Sequence, residues 1–273
     1  MPPAPSYRRA AALAASILAL STMAVTGCAG LPAAAAPDTP SRIVRLLPAD
    51  VLVLGEQHDA PEHHVIERDT VLALAQGGRL AALAIEMAEE GQGTTYLKPD
   101  ATEVQVQTAL SWNDKAWPWA DYGPAIMAAV AAGVPVVGAN LPRERMKDAM
   151  ADVSLDAQLG DAERAQQQQA VRDGHCGLLP ESQIVPMTRI QIARDRSMAQ
   201  VALKARVPGK TVLLIAGAGH ATKTLGVAQH LPTDVRVKSI RLVAGEADQA
   251  PSYDALWRTP ALPPKDYCAT LRK

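Results

Sequence analysis

The sequence predicts an α/β fold: a mainly parallel sheet flanked by helices, with a helical insertion or lid. Two observations carry the prediction. Continuous apolar runs, DVLVLG (50–55), LAALAIEM (80–87), VPVVGAN (134–140) and KTVLLIAGAG (210–219), alternate with stretches of helical character. Strands that are apolar on both faces belong to a parallel sheet covered on both sides. The length, 273 residues, is enough to bury a sizeable core.

The elements follow in order. Residues 1–27 read as a signal peptide, with Arg8 and Arg9 as basic flank and AAALAASILALSTMAV as an apolar stretch too short to span comfortably. The stretch ends in VTGC, Val25 to Cys28, which resembles the lipobox of bacterial lipoproteins. That resemblance implies cleavage before Cys28 and lipidation of its thiol, with acyl chains as the membrane anchor. Ala29 after the cysteine favours the outer membrane, with the protein facing the periplasm. Residues 28–44 are an Ala/Pro-rich tether. The α/β domain is placed at 45–247, with a fifth strand, VRVKSIRLV (235–243), alternating like an edge strand. Helices are expected at 62–76, 101–111, 122–132, 142–152, 156–172, 186–206 and 221–229. The segment 141–208 carries three helices and no strand, more than a simple crossover needs, and forms the insertion. The Pro-rich tail, 248–273, wraps the surface.

Composition narrows the function. Net charge is −1, with 27 basic and 28 acidic residues, so no global field draws in nucleic acid. Export leaves Cys176 and Cys268 as an even pair in an oxidising compartment, and a structural disulfide is expected. Closing a loop of about 90 residues contributes roughly 4 kcal/mol by the loop-entropy model.

In open parallel sheets, ligands bind beyond the carboxyl ends of the strands. Those ends present Glu56 and His58, then Glu86, then Asn140 and Arg143, then His220. In GEQHDAPEHH, His63 faces the sheet and His64 faces outward. A metal reading uses His58, His63 and Glu86; a general-base reading uses Glu56 or Glu86 with His58. GAGH places two glycines and His220 at a helix start, where amides attract anions, but lacks the Lys-Ser/Thr of a phosphate loop. In SWNDKAWPWADYGP, three of the four tryptophans and Tyr122 fall together in a chain with no Phe. They form either a satellite core or a wall, Trp119 included, for a flat apolar ligand, with Tyr122 able to bind ferric iron as phenolate. Arg143, in ANLPRERM, suits a carboxylate.

LGEQHDAPEHH, AIEM, the Trp–Tyr segment, VVGANLPR, QIARDRSMA and GAGHATKTLGVAQHL, in this order over Arg45 to Leu231, resemble the ChaN-like haem-binding lipoproteins. These sit in a superfamily with erythromycin esterases and the TraB/Tiki proteins. The resemblance implies haem binding for iron acquisition, a homodimer, and handover from an outer-membrane haem or iron receptor. It also implies Tyr122 as iron ligand, with Tyr96 in reserve, Arg143 as propionate partner, and His58, His63, His220 and Glu86 around the haem. Because the superfamily contains hydrolases, a periplasmic hydrolase, metal-dependent or not, built on His58, Glu86 and Glu56 is the alternative. A scaffold lipoprotein without ligand requires the polar rim to be accidental.

Overall fold

The computed structural model describes residues 1, 38–247, 252–269 and 271–272. The signal segment, Cys28 and the first part of the tether lie outside the described residues. The end of the tether is already part of the fold. Thr39–Val44 form helix α1, whose first turn is capped by the Asp38 carboxylate accepting from Ser41 N at 2.9 Å, and Ile43 is buried in the core.

Six strands form one sheet: β1 (Val51–Glu56), β2 (Leu80–Glu89), β3 (Val136–Asn140), β4 (Thr211–Gly217), β5 (Val237–Ala244) and β6 (Ala255–Thr259). Their order is β3-β2-β4-β1-β5-β6, and every neighbouring pair is parallel. The apolar runs are continuous because each strand feeds two cores. Leu52, Leu54, Leu83, Ile85, Leu213 and Ile215 point to the face covered by α2 (Pro61–Gln76) and α4 (Trp119–Ala131). Their neighbours Val51, Val53, Val212, Leu214 and Ala216 point to the other face, against Met198, Ala199 and Ala202 of α7 (Glu181–Lys204). Each such side chain, fully buried, contributes roughly 1.5–3 kcal/mol. Pro61 opens α2 at a position whose amide needs no partner. A short helix, α3 (Glu103–Ala109), starts on a capping box between Thr102 and Gln105.

The insertion is a helical layer. After a 3-10 turn at Arg143–Arg145 come α5 (Met146–Ala151), a second 3-10 turn at Val153–Ala157, and α6 (Asp161–Gly174). Leu141, Ala149, Leu155 and Leu159 pack on Ile192 and Ala193 of α7 as a third, small core. Thus α7 is the crossover helix between β3 and β4, and α5 and α6 ride on it.

Three expectations change. The helix expected at 221–229 is a series of turns ending in a 3-10 turn at Val227–His230. The chain folds back on itself at Gly226, where Val227 N donates to His220 O and a Cβ would stand 2.0 Å from that same oxygen. His220 therefore does not open a helix. The fifth strand is not an edge, since β6 lies beyond it. The tail supplies that strand rather than merely wrapping the surface, and Trp257 inserts into the core under the Arg42 guanidinium. Cys176, just after α6, and Cys268 form a disulfide with a Cα–Cα distance of 5.8 Å, fastening the tail to the helical layer. Among the described residues no helix is long and apolar enough to cross a membrane.

Candidate functional site

The carboxyl ends of β1, β2 and β4 lie side by side, and two polar clusters meet there. The first is centred on Glu86, at the point where β2 slips register with β3. One carboxylate oxygen accepts from Gly217 N at 2.7 Å; the other accepts from Arg194 Nη2 and lies 3.6 Å from His220 Nε2. Arg194 Nε donates to Asn140 Oδ1 at 2.9 Å, and His220 Nδ1 stands 2.7 Å from Asp195 Oδ1. Burial pushes the Glu86 pKa up, but the charges of His220, Arg194 and His58 outweigh it and hold the group below its usual range. Burial pulls the His220 pKa down, and the carboxylates of Asp195 and Glu86 reverse that, so the imidazole ends above its ordinary value. Burial raises Asp195, and His220 only partly offsets it.

The second cluster surrounds Glu56. Its Oε1 lies 2.8 Å from His58 Nδ1 and accepts from the Tyr122 hydroxyl at 2.9 Å; its Oε2 lies 3.2 Å from His64 Nε2. Burial would raise the Glu56 pKa, but the hydrogen bond from His58 and the closeness of His64 and Glu67 bring it down to about 2. Glu67 goes the other way, raised by full burial and by the Glu56 charge. Tyr122 is also raised, by burial and then by Glu56. The His58 pKa is lowered by burial but raised by more through Glu56 and Glu86. Aromatic rings pack round this cluster: Trp117 on His58 at 4.8 Å, Tyr122 on His64 at 4.9 Å, and Trp112 and Trp117 each 6.0 Å from Tyr122.

Two glycines let the clusters meet. A Cβ on Gly55 would come within 2.6 Å of the Ala221 side chain, and one on Gly217 within 2.9 Å of His58 Nε2. His58 thus bridges the two clusters, and its side chain is 39% exposed. It opens onto a cleft of about 540 Å³ that is also lined by Glu86, Arg194, His220, Lys265 and Tyr267.

The structure therefore brings together Glu56, His58, Glu86, His220 and Tyr122 from four separate segments. It does not bring in the rest. Arg143 is exposed, with its backbone amide donating to Glu89 Oε1; Arg194, on the sheet-facing stripe of α7, holds the rim instead. His63 is buried and turned toward β6: it accepts from Gln57 N at 3.0 Å, and its Nε2 meets Thr259 Oγ1 at 3.1 Å. The set His58, His63 and Glu86 is consequently not assembled. His64, expected to face outward, is buried against Glu56, because α4 packs on α2 and gives that helix a second covered face. Trp119 packs on Gly123 and donates to Glu103, away from the cleft, while Trp117 takes the place beside His58. Tyr96 is 74% exposed and lines a separate groove beside Val137.

Sequence reasoning missed Arg194, Asp195, Glu67, Lys265 and Tyr267 as site residues. A signal existed for Arg194: it precedes Met198, Val201 and Ala202 at helical spacing on a stripe otherwise apolar. Lys265 and Tyr267 had none, because they reach the rim only through the tail, where Lys265 Nζ donates to Asp59 at 2.6 Å and Gln57 donates to the Tyr267 hydroxyl at 3.0 Å.

Comparison with known proteins adds the following. The family described as haem-binding uptake, Tiki superfamily, ChaN, matches residues 43–231. A solved structure of ChaN of Campylobacter jejuni, reported for cofacial haem binding, is 24% identical, covers 76% of this chain and 87% of that one, and superposes with a TM-score of 0.63, a likeness of fold. The type III effector HopBA1 is more distant, at 16% identity over 78% of this chain and 88% of that one, with a TM-score of 0.42. No curated protein matches.

Proposed function

The chain belongs to the ChaN family of haem-binding uptake proteins in the Tiki superfamily, and on that premise we propose that it binds haem at the β1–β4 rim, as an outer-membrane-anchored lipoprotein serving iron acquisition. The observation that carries the reading is the contact of the Tyr122 hydroxyl with Glu56 and, at 3.4 Å, with His58, directly beneath the cleft. His58 lines the cleft, and the Tyr122 phenol and the Trp117 ring pack behind it; a phenol oxygen, a partner base and flat apolar surface are parts a haem site needs. The cleft is in the size range of small-ligand sites. Lys265, half-exposed at its mouth, supplies the propionate cation in place of Arg143.

Tyr122 is only 3% exposed, so for its hydroxyl to hold iron the neighbouring His58 and Trp117 would have to move. In this reading Tyr122 would hold the haem iron through its phenol oxygen, His58 would hydrogen-bond that oxygen, and Glu56 would orient both. The cofacial mode described for the Campylobacter protein, carried to this chain, gives two haems stacked between two copies at their rims. Cys28 carries the acyl anchor that keeps the domain at the membrane, and a receptor in that membrane delivers the haem. The family match favours this reading over the hydrolase alternative.

The test is a haemin titration followed by absorbance. The parent protein is expected to saturate with a phenolate-to-iron charge-transfer band, Tyr122→Phe to lose the band, and His58→Ala to keep it with weaker binding. Loss of the band in His58→Ala and its survival in Tyr122→Phe would move the ligand to histidine. No saturable binding by the parent sinks the haem reading.

A further inference from the structure

Beside the rim, Glu56, His64 and Glu67 turn one ligand atom each toward a common point. These three atoms lie within 4.8 Å of one another, and all three residues are buried. His64 and Glu67 stand three apart on α2, so helical geometry puts both on one face. Glu56 comes to them from the end of β1. Neither oxygen of Glu67, which is 0% exposed, has a hydrogen-bond partner; Glu56 Oε2 and His64 Nε2 are likewise without one. Glu56 Oε1, by contrast, is fully used by His58 and Tyr122. Two carboxylates facing each other away from water, with their inner oxygens unpartnered, call for a positive charge between them.

We propose that Glu56, His64 and Glu67 form a binding site for one divalent cation of the zinc or iron(II) class, adjoining the haem cleft through Glu56. The donor set, one imidazole nitrogen and two carboxylate oxygens, suits those metals. Metal–ligand bonds of about 2.0–2.2 Å place the donor atoms of a tetrahedral site about 3.4 Å apart. Glu56 Oε2 and His64 Nε2 are already 3.2 Å apart, and Glu67 closes the triangle with a small side-chain movement. Asp121 Oδ1 lies 3.9 Å from His64 Nδ1, on the side where a metal-bound imidazole commonly meets a carboxylate. The fourth position belongs to water or to the second oxygen of a carboxylate. None of its three residues is the expected iron ligand, but Glu56 is shared with the haem reading, in which its other oxygen orients Tyr122 and His58.

The test uses the full-length protein in detergent, free of haem, titrated with cobalt(II) as a spectroscopic stand-in and with zinc(II) for metal content after gel filtration. The expected result is one cobalt per chain with the strong visible bands of a four- or five-coordinate ion, unchanged in His220→Ala. Glu67→Gln, which keeps the shape and can still donate to Glu56, is expected to bind at least tenfold more weakly. X-ray absorption at the metal edge of the unmutated protein gives an answer even if that variant does not fold: one imidazole among the ligands supports the site. Two or more imidazoles, or loss of binding in His220→Ala with retention in Glu67→Gln, would assign the metal to the rim and overturn the proposal. No bound metal at saturation also overturns it, and a proton shared between Glu56 and Glu67 then fills the gap.

Discussion

At the scale of residues, the rim is a set of charges that stabilise one another out of water. Asp195 and Glu86 favour the charged form of the His220 imidazole, and Arg194 completes the balance on Glu86. The sign of the pH dependence follows. A histidine whose folded-state pKa is raised above its unfolded value contributes stability that is fully present below the unfolded value, near 6.5, and is lost as pH rises through the folded value. The thermal unfolding temperature of the protein is therefore expected to fall above neutrality, and the fall to be smaller in His220→Gln, where His58, whose pKa is also raised, still contributes; parallel melts across pH check it. Asp195→Ala leaves the buried His220 Nδ1 without its partner and is expected to cost about 3–5 kcal/mol in a urea titration. An effect below 1 kcal/mol would mean that the network contributes little to stability.

At the scale of elements, the lesson lies in what each helix packs against. Helix α2 was legible from its Pro61 start and its spacing, yet the orientation of His64 was not, because its covering partner α4 is about 50 residues away in sequence. The four apolar strands were legible for the reason that they are buried on both faces. Strand β6, ALWRT, was not: five residues inside a Pro-rich tail carry too little pattern, and only the pairing of Leu242 with Trp257 shows where they belong. The expected 221–229 helix failed because its apolar spacing said nothing of the close backbone contact at Gly226. The site was half legible for the same reason: strand ends can be read from sequence, while Arg194 and Tyr267 arrive by packing. The disulfide belongs to this scale. Cys268→Ser is expected to lower stability by about 2–5 kcal/mol and to release Lys265 and Tyr267 from Asp59 and Gln57. Urea melts read the first effect. Amide exchange over residues 260–269 reads the second, and unchanged protection there would show that the tail holds itself.

At the scale of the whole molecule, the anchor and the domain make separable claims. Cys28→Ala is expected to abolish incorporation of labelled palmitate and to release the protein from the membrane fraction, with haemin binding unchanged. A variant that still co-sediments with outer membranes would show that something other than Cys28 holds it there. Haem stoichiometry measured with sedimentation velocity tests the dimer: one haem per chain in a species of twice the mass is expected, and a haem-loaded monomer removes the cofacial arrangement from this protein.

The strand order carries a last consequence, one of timing. The first strand made, β1, has as its neighbours the fourth and the fifth, and the sheet is closed by the sixth, near the carboxyl terminus. During synthesis β2 can pair with β3, but β1 has no partner until β4 and β5 are made, and pairings so distant in sequence form slowly. If the chain is exported as proposed, a strand that waits for its partners in this way would keep it a thread while it passes a narrow translocation channel, to become a globule only on the far side.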